Sequence, residues 1–400
     1  MYQKGKFLFL FLIQTVLLPY NDGLSSKIEY HTTPIDAWHK KYNNFGIKNE
    51  NILFETIYNK KINDKIRLSL DILISPNNLY YKDSFLSYNF SNTTYLKVGK
   101  YYRDYSQYFD DSLSSGHLLI SHNAQPLTRI GLNSSKKVKS VRFDFGLSHS
   151  TLEKNDLYIK PPLIHEKYIY MSFNQGNNSF GIGFIHEAMW GGNINSEDGK
   201  QSESFDDFLK IFIAADGPFN PGDAHANALG NHLGLWEFVY ERKLKSNTIK
   251  LYHQHLFEDT SGIRFHNRYD GLWGLIINSK KNTLLLEYLE TTNQNIDPPY
   301  VDEAYYNHWI YDYGWSYQGL ALGNPHINPF EVIPINMVHV GSSLIFDNKS
   351  LILRLSKKTN IKSQINSIIT LECGKRNSFS FSLYNKENKF GMSLGYQIIL

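Results

Sequence analysis

Aromatic and acidic side chains with the chemistry to bind a carbohydrate lie in the segments that separate stretches of alternating polarity. The candidates are Trp190, Trp309, Trp315 and Tyr317, together with Asp216, Asp223, Glu258 and Asp259. The apolar C–H faces of a sugar stack on aromatic rings, and its hydroxyl groups donate hydrogen bonds to carboxylates. These residues are therefore candidate carbohydrate-binding residues.

Other roles for these side chains stay open. Aromatic rings also form the girdles of membrane proteins, or pack the interiors of loops. The acids can brace loops, and Asp216 and Asp223 can hold a calcium ion because they flank a turn rich in Gly and Pro. We expect neither a metal nor another cofactor.

Catalysis has little support. The pair His186-Glu187 is not a zinc motif, because the second His would have to stand at position 190, which is Trp, and on a helix. A glycine-rich phosphate loop is missing from the sequence. We therefore expect a protein that is not an enzyme and has no catalytic residues, with a hydrolase site built from several strands as an alternative.

Strands must position the candidate residues, because the chain between them alternates in polarity. At the C-terminus one strand face carries Phe390, Met392, Leu394, Tyr396, Ile398 and Leu400, and the other carries Gly391, Ser393, Gly395 and Gln397. Similar but less regular alternation occurs at 142–147, 180–184, 351–356 and 379–383. A chain that ends on such a strand resembles a bacterial outer-membrane β-barrel, whose assembly machinery reads the closing strand and whose apolar face meets lipid. A soluble edge strand is the alternative.

Composition agrees with a barrel and excludes other classes. The mean hydropathy of −0.39 excludes a helical membrane protein but not a barrel, in which only alternate strand residues are apolar. Aromatic residues make up 15% of the chain, as expected for strands that end in aromatic girdles. The 41 basic and 38 acidic residues form no basic stripe, so we expect no nucleic-acid partner. The lone cysteine, Cys373, permits no internal disulfide.

The N-terminus has the pattern of a secretory signal peptide. Lys4 and Lys6 precede an apolar run at 7–18, which is too short to span a bilayer as a helix. We predict a signal peptide at 1–26, cleaved around residues 20–27, and an outer-membrane barrel at 27–400. A buried N-terminal helix is the alternative.

Short and longer connections alternate along the chain. Short turns are predicted at 61–63, 91–93, 134–137, 175–177, 244–247, 280–281, 347–348 and 374–375. The other connections are predicted at 75–79, 105–127, 150–163, 189–232, 259–268, 293–336, 358–363 and 386–389. The longest are 189–232 and 293–336, and short periplasmic turns with long extracellular loops are the outer-membrane pattern.

Parity requires one more strand within 28–48, so that both termini lie in the periplasm. The prediction is therefore all-β: a transmembrane antiparallel β-barrel of about 18 strands, with about 16 as the alternative. We expect a set of charged side chains to face the lumen and form ion pairs there; a functional ring of charges is the alternative. They are Arg103, Asp104, Arg142, Asp144, His186, Glu187, Glu241, Arg242, Glu287, Glu290 and Arg354.

One extracellular loop carries a helix signal. Ser204 can cap a helix that has acids in its first turn. Apolar residues at helical spacing follow at Phe205, Phe208, Leu209 and Phe212. Because such an apolar stripe must be buried, we expect this loop to fold into the barrel mouth and help to plug it.

Five segments have the order and spacing of a known protein family. They lie at 111–126, 184–192, 216–223, 252–262 and 314–326. Together they resemble the capsule-assembly Wzi family of outer-membrane proteins, and the resemblance extends over residues 85–330.

The resemblance implies an 18-stranded barrel, occluded by extracellular loops, that acts as a lectin and retains capsular polysaccharide or exopolysaccharide. Surface polysaccharide, outer-membrane lipid and the barrel-assembly machinery are the expected partners, and the cell outer membrane is the expected location. Two features depart from the family: the short N-terminal segment leaves no room for the periplasmic helical bundle of some members, and His186-Glu187 stands where Arg or Thr with Gln is expected. A diffusion porin is the main alternative function.

Overall fold

The computed structural model describes the chain at 23–33, 45–103, 112–153, 158–194, 199–217, 228–258, 263–265, 267–293, 304–360, 365–375, 377–386 and 389–399. Over these ranges the fold is a closed antiparallel β-barrel with one helix. Among the same residues, no helix is both long and apolar enough to cross a membrane.

The strands follow one another around the barrel in chain order. The first are β1 (Gly23–His31), β2 (Ile52–Lys61), β3 (Ile66–Ile74), β4 (Leu79–Tyr81), β5 (Ser84–Asn89), β6 (Thr94–Lys100), β7 (Thr128–Val138), β8 (Val141–Thr151), β9 (Leu163–Gln175) and β10 (Asn178–Trp190). After helix α1 (Phe205–Ile213) come β11 (Asn231–Lys243), β12 (Asn247–Phe257), β13 (Gly271–Ser279), β14 (Asn282–Glu290), β15 (Ser316–Tyr317), β16 (Leu320–Ala321), β17 (Asn336–Phe346), β18 (Lys349–Lys358), β19 (Ile365–Gly374), β20 (Asn377–Lys386) and β21 (Lys389–Ile399). Because β4 and β5 share one position beside β3, and β15 with β16 form a separate hairpin, the described strands fill 18 barrel positions.

The last strand closes the barrel against the first, as predicted. β21 pairs with β1 from Ser25↔Ile399 to His31↔Ser393, and β1 pairs on its other edge with β2. Among the described strands, this seam leaves no open sheet edge in the wall. A membrane-spanning sheet must be closed in this way because lipid offers no hydrogen bonds.

The first strand begins earlier than predicted. It was expected within 28–48, but β1 starts at Gly23. Ser25 and Ser26 are polar and suggested the end of a signal peptide, whereas pairing with strands on both sides holds them in the barrel wall. Of the predicted signal peptide at 1–26, only the end lies within the described residues.

Large apolar side chains are exposed on one face of the strands. On β21, Phe390, Met392 and Leu394 are 77%, 45% and 57% exposed, while Ser393 and Gly395 face the interior and are buried. Such an apolar belt is unfavourable in water and stable in lipid. The alternation of apolar and polar residues in the sequence therefore corresponds to side chains that alternately face lipid and lumen.

Short connections lie at one end of the barrel and the longer ones at the other. The short turns are at 62–65, 90–93, 139–140, 176–177, 244–246, 280–281 and 347–348, and a further short connection joins β19 to β20. The turn predicted at 134–137 is wrong, because these residues continue β7 and the chain turns at Lys139, whose φ of 56° is left-handed. Ser and Lys at 134–137 suit a strand end that projects beyond the membrane, where neither face needs to be apolar.

Two loop segments fill the interior of the barrel. They are residues 112–127 and 304–329, which we call the plug. Leu118, Leu119 and Trp315 of the plug are all 0% exposed and belong to one hydrophobic cluster with inward side chains of the wall. The prediction of a barrel plugged by extracellular loops is confirmed.

Helix α1 forms where it was predicted but does not enter the barrel mouth. Ser204 and Asp207 make a reciprocal capping box at its start, and Ala214 ends it in the left-handed conformation with φ of 53°. Phe208 of the helix packs against Trp190, whose ring centroid lies 5.6 Å away on the outward face of β10. Phe208 and Phe212 of the predicted stripe thus pack against the outside of the wall, whereas Phe205 and Leu209 are exposed. The sequence pattern could not distinguish the outside of the wall from the inside.

Candidate functional site

The plug is hydrogen-bonded to inward side chains of the wall. The Oγ of Ser114 donates to Glu287 Oε1 at 2.5 Å, and the backbone N of Ser115 donates to Glu287 Oε2 at 2.8 Å. The backbone N of Leu118 donates to Gln254 Oε1 at 3.1 Å. Because these groups are buried, each bond also removes an unpaired polar atom from the interior.

A second part of the wall holds the start of the plug. The Nε2 of His339 lies 2.7 Å from the carbonyl oxygen of Leu113, and the guanidinium of Arg354 donates to the carbonyl oxygen of Ser112. Gly341 permits this close approach, because a Cβ there would lie 2.4 Å from the Leu113 carbonyl oxygen. The wall is therefore shaped to receive the plug backbone.

The two plug segments bind each other as well as the wall. Trp315 Nε1 donates to the carbonyl oxygen of Leu119 at 2.9 Å, and Ser121 Oγ donates to the carbonyl oxygen of Gly323 at 2.6 Å. Gly323 cannot carry a side chain, since a Cβ would lie 2.1 Å from the hydroxyl oxygen of Tyr306. The plug is thus one packed unit rather than two independent loops.

A buried cluster of charges stiffens the barrel beside the plug. Arg129 Nη2 lies 2.9 Å from Glu166 Oε1, and Arg103 Nη1 lies 3.3 Å from Glu166 Oε2 and 3.9 Å from Glu187 Oε1. Nearby, Gln254 Nε2 donates to Glu237 Oε1 at 2.8 Å. Buried charges of this kind are tolerated only when they are paired and hydrogen-bonded.

The predicted ion pairs of the lumen are confirmed for some residues and wrong for others. Arg103 contacts Glu187, and Arg142 contacts Asp144 at 2.8 Å. The residues that face outward instead are His186, Arg242 and Glu290. His186 and Glu187 are adjacent on a strand, so only one of them can face the lumen. Asp104 lies outside the described residues.

The sequence analysis missed three charges of this cluster. They are Arg129, Glu166 and Glu237. Strict counting of alternate positions along β7, β9 and β11 would have placed all of them inside, because the apolar residues of these strands alternate with them.

Three of the candidate binding aromatics are buried. Trp315 and Tyr317 are 0% and 2% exposed and form part of the plug core. Trp190 is 6% exposed and lies under helix α1 on the outer face of the wall. These rings stabilise loop packing and offer no free face to a ligand in this conformation.

Trp309 is the exposed candidate, and Glu258 lies close to the same loop. The side chain of Trp309 is 64% exposed, and its ring stacks on His308 with centroids 5.8 Å apart. Glu258 Oε2 accepts a hydrogen bond from the backbone N of Ala304 at 3.2 Å, so this acid braces the loop that carries Trp309. Asp216 is exposed and forms an isolated antiparallel β-bridge with Ala228.

The remaining two acids, Asp223 and Asp259, lie outside the described residues, so the calcium alternative at Asp216 and Asp223 stays a prediction. Within the described part of the chain, no group of three or more His, Cys, Asp or Glu side chains is placed to hold a metal ion.

The surface segment 307–313 carries further aromatic and polar groups that the sequence analysis did not single out. Tyr313 is half-buried and packs edge-on against Tyr158, with centroids 5.1 Å apart, and Asp312 is exposed. His308 shapes the segment, because its Nδ1 accepts hydrogen bonds from the backbone N of Ile310 at 3.1 Å and of Tyr311 at 3.3 Å. Trp309 is thus presented by a turn that a histidine side chain holds in place.

We predict that acid loosens this segment. Burial lowers the pKa of His308 from its ordinary value of 6.5 to about 4, and a protonated Nδ1 cannot accept the two backbone bonds. Between pH 6.5 and about 4, His308 is protonated when segment 307–313 is open but not when it is folded. Lowering the pH over this range therefore stabilises the open segment relative to the folded one. Amide hydrogen exchange of 307–313, corrected for its intrinsic pH dependence, should accelerate over this range. His308→Asn keeps an acceptor that does not titrate and should remove the effect; equal pH dependence in both proteins would contradict it.

Comparison with known proteins identifies related barrels. Wzi of Escherichia coli, an outer-membrane protein described as a carbohydrate-binding β-barrel involved in group 1 capsule assembly, matches with a TM-score of 0.63 at 15% identity, over 98% of this chain and 87% of that one. OpdK of Pseudomonas aeruginosa matches with a TM-score of 0.50 at 10% identity, over 95% of this chain and 98% of that one. At these identities the likeness concerns the fold. A protein-family model described as capsule assembly protein Wzi matches residues 25–394, whereas none of the curated proteins matches the chain in sequence.

Proposed function

Because residues 25–394 match that family model, the chain belongs to the capsule assembly protein Wzi family, and we propose that it binds surface polysaccharide and retains it at the cell surface. The chain is an outer-membrane β-barrel. The E. coli member of similar fold is described as binding carbohydrate, and the same class of ligand, capsular polysaccharide or exopolysaccharide, is proposed here.

The plug is the observation that supports binding rather than transport most strongly. Its two segments are bonded to the wall through Glu287 and Gln254 and to each other through Trp315. A lumen filled in this way blocks diffusion, while the same loops provide a rigid extracellular surface. The porin alternative is therefore disfavoured, and we propose that binding at this surface is non-catalytic.

Binding is proposed to centre on the exposed segment 307–313. Trp309 offers an exposed aromatic ring, and the acid Asp312 of the same segment is also exposed. A ring held by a rigid loop loses little conformational entropy when a sugar stacks on it, which favours binding to a repeating polymer. The candidates Asp216, Asp223, Glu258 and Asp259 remain proposed polar partners.

The role in the cell is tested by deleting the gene and measuring cell-bound against shed polysaccharide. We expect the cell-bound share to fall several-fold, and expression of the wild-type protein should restore it. An unchanged ratio in the deletion strain would count against retention. Incubation of the folded barrel with polysaccharide should release no shorter products; product release would support the hydrolase alternative.

Trp309→Ala should weaken binding of purified surface polysaccharide to the folded barrel. Stacking of a sugar on an aromatic face contributes about 1 kcal/mol, so the dissociation constant should rise about fivefold. Trp309→Phe keeps an aromatic face and should lose much less. The exposed apolar residue Phe330 is a matched control, because Phe330→Ala removes an exposed ring, 47% accessible, that lies outside 307–313. Equal losses in the two alanine variants would exclude a specific role for Trp309.

A further inference from the structure

Helix α1 is fixed to the outer surface of the barrel at its extracellular end. The ring of Phe208 lies 5.0 Å from His149 and 5.3 Å from His165 between centroids, and the ring of Phe212 lies 5.2 Å from His165. Ile211, which packs with Trp190 in the same small cluster, is 1% exposed. One side of the helix is therefore buried against the wall.

The wall beneath the helix belongs to the lipid-facing surface. His165 shares a strand face with Ile169 and Met171, which are 49% and 41% exposed and lie four and six residues further along β9, towards the membrane centre. On the neighbouring strand, His149 shares its face with Leu147, which is 42% exposed. The helix thus lies at the extracellular margin of the apolar belt.

A second apolar side of the helix is exposed. Phe205, Leu209 and Ile213 recur at every fourth position and are 72%, 48% and 72% exposed. At 3.6 residues per turn, this stripe adjoins the side that packs on the wall, so the two together form one apolar arc of roughly 200°. The remaining arc carries the exposed polar residues Asp206 and Lys210. An arrangement with a wide apolar arc and a narrow polar one is typical of helices that lie in a membrane interface.

The helix is held firmly enough to present this stripe in one orientation. Glu203, just before the helix, accepts hydrogen bonds from the backbone N of Gly192 at 2.8 Å and from Lys160 Nζ at 2.6 Å. At the other end Lys167 Nζ donates to the carbonyl oxygen of Phe212, where a cation also complements the helix dipole. Both ends are tied to the barrel, so the exposed stripe is a fixed feature of its surface.

We propose that helix α1 is an interfacial helix that inserts Phe205, Leu209 and Ile213 into the acyl chains at the outer surface of the membrane. The occupant of the stripe is lipid, because the stripe continues the apolar belt that already faces lipid and because the polar arc leaves Asp206 and Lys210 for the aqueous side. Loop 191–230 is thereby anchored beside the barrel, which leaves the mouth to the plug and to the segment 307–313. This inference does not depend on polysaccharide binding.

The test places a nitroxide label at single positions of the folded protein in vesicles of phosphatidylethanolamine and phosphatidylglycerol. Cys373 is the lone cysteine, so Cys373→Ser gives a background for Leu209→Cys and Ile213→Cys on the stripe. Asp206→Cys and Lys210→Cys on the polar arc are the matched controls. Collisions of the label with oxygen, which concentrates in lipid, are compared with collisions with a water-soluble nickel complex.

We expect the oxygen-to-nickel collision ratio to be several-fold higher at 209 and 213 than at 206 and 210. Equal, water-like ratios at all four positions would overturn the proposal. Low collision rates with both reagents at 209 and 213 would also overturn it, because protein rather than lipid would then cover the stripe. Gel mobility before and after heating checks that each variant is a folded barrel.

A second measurement does not rely on labels. The double variant Leu209→Ser/Ile213→Ser should exchange the amide hydrogens of 205–213 several-fold faster in the same vesicles than the wild-type protein does. Asp206→Ser/Lys210→Ser should exchange them at nearly the wild-type rate. Equal acceleration in both double variants would indicate only a weakened helix and would overturn lipid anchoring.

Discussion

Replacing Glu287 with Ala should open a channel through a barrel that is otherwise closed. In planar bilayers we expect the wild-type protein to show no steady conductance, and Glu287→Ala to show frequent openings. Glu287 accepts hydrogen bonds from Ser114 and Ser115 of the plug and from the hydroxyl of Tyr252 on the wall. Without the carboxylate these donors are buried and unpaired, at a cost of about 3 kcal/mol, which raises the population of the displaced plug about a hundredfold.

A matched control separates loss of the plug contact from loss of a lumen charge. Glu241 also faces the lumen, but it pairs with Lys250 at 3.7 Å and lies near the end of β11 that leads into the short turn at 244–246. Glu241→Ala should therefore leave the barrel closed. Glu287→Gln, which keeps one acceptor oxygen, should give intermediate behaviour. A large steady channel in the wild-type protein would contradict the plugged barrel, and closed Glu287→Ala would show that the other plug contacts suffice.

Replacing Glu166 with Leu should destabilise the whole barrel more than it affects any single loop. Glu166 is the partner of both Arg103 and Arg129, and all three side chains are at most 3% exposed. Removing the carboxylate leaves two buried guanidinium groups without their main counterion, and breaking such a pair costs about 3–5 kcal/mol. The free energy of unfolding in urea should fall by that amount, and the temperature of the gel mobility shift should fall with it.

Two further variants test whether unpaired buried charges cause the expected loss of stability in Glu166→Leu. Asp64→Asn breaks the exposed pair Lys61–Asp64, whose side chains are 64% and 94% exposed, and should change stability by less than about 1 kcal/mol. Arg103→Met/Arg129→Met/Glu166→Leu removes all three charges together and should recover much of the stability lost in Glu166→Leu, because no uncompensated charge remains. Equal stabilities of Glu166→Leu and Asp64→Asn would exclude a structural role for the cluster.

The sequence predicted which types of residue form the candidate site, but it did not predict which of them are exposed. The loops were predicted to carry binding aromatics, and Trp309 is exposed where a ligand can reach it. Trp315 is instead at the centre of the plug and bonded to Leu119, 196 positions away in the chain. Both tryptophans stand in polar, aromatic loop sequence, so composition alone does not distinguish an exposed ring from a buried one.

The sequence by itself determined the architecture of this protein, because the membrane imposes simple rules on it. Lipid requires paired backbone and an apolar face at every second residue, so the alternation, the order of turns and loops and the parity of the strands lead to a closed barrel. The capping residues likewise place helix α1 at Phe205–Ile213.

Only the tertiary structure decided which surfaces the loops cover. The plug lies inside the barrel and α1 lies outside it. β1 begins at Gly23, and the turn predicted at 134–137 lies at Lys139. These outcomes depend on shape and on hydrogen bonds between residues far apart in the chain, such as Ser114 with Glu287. An apolar stripe is buried equally well against the lumen or the outer wall, so local periodicity carries no information about which one it meets.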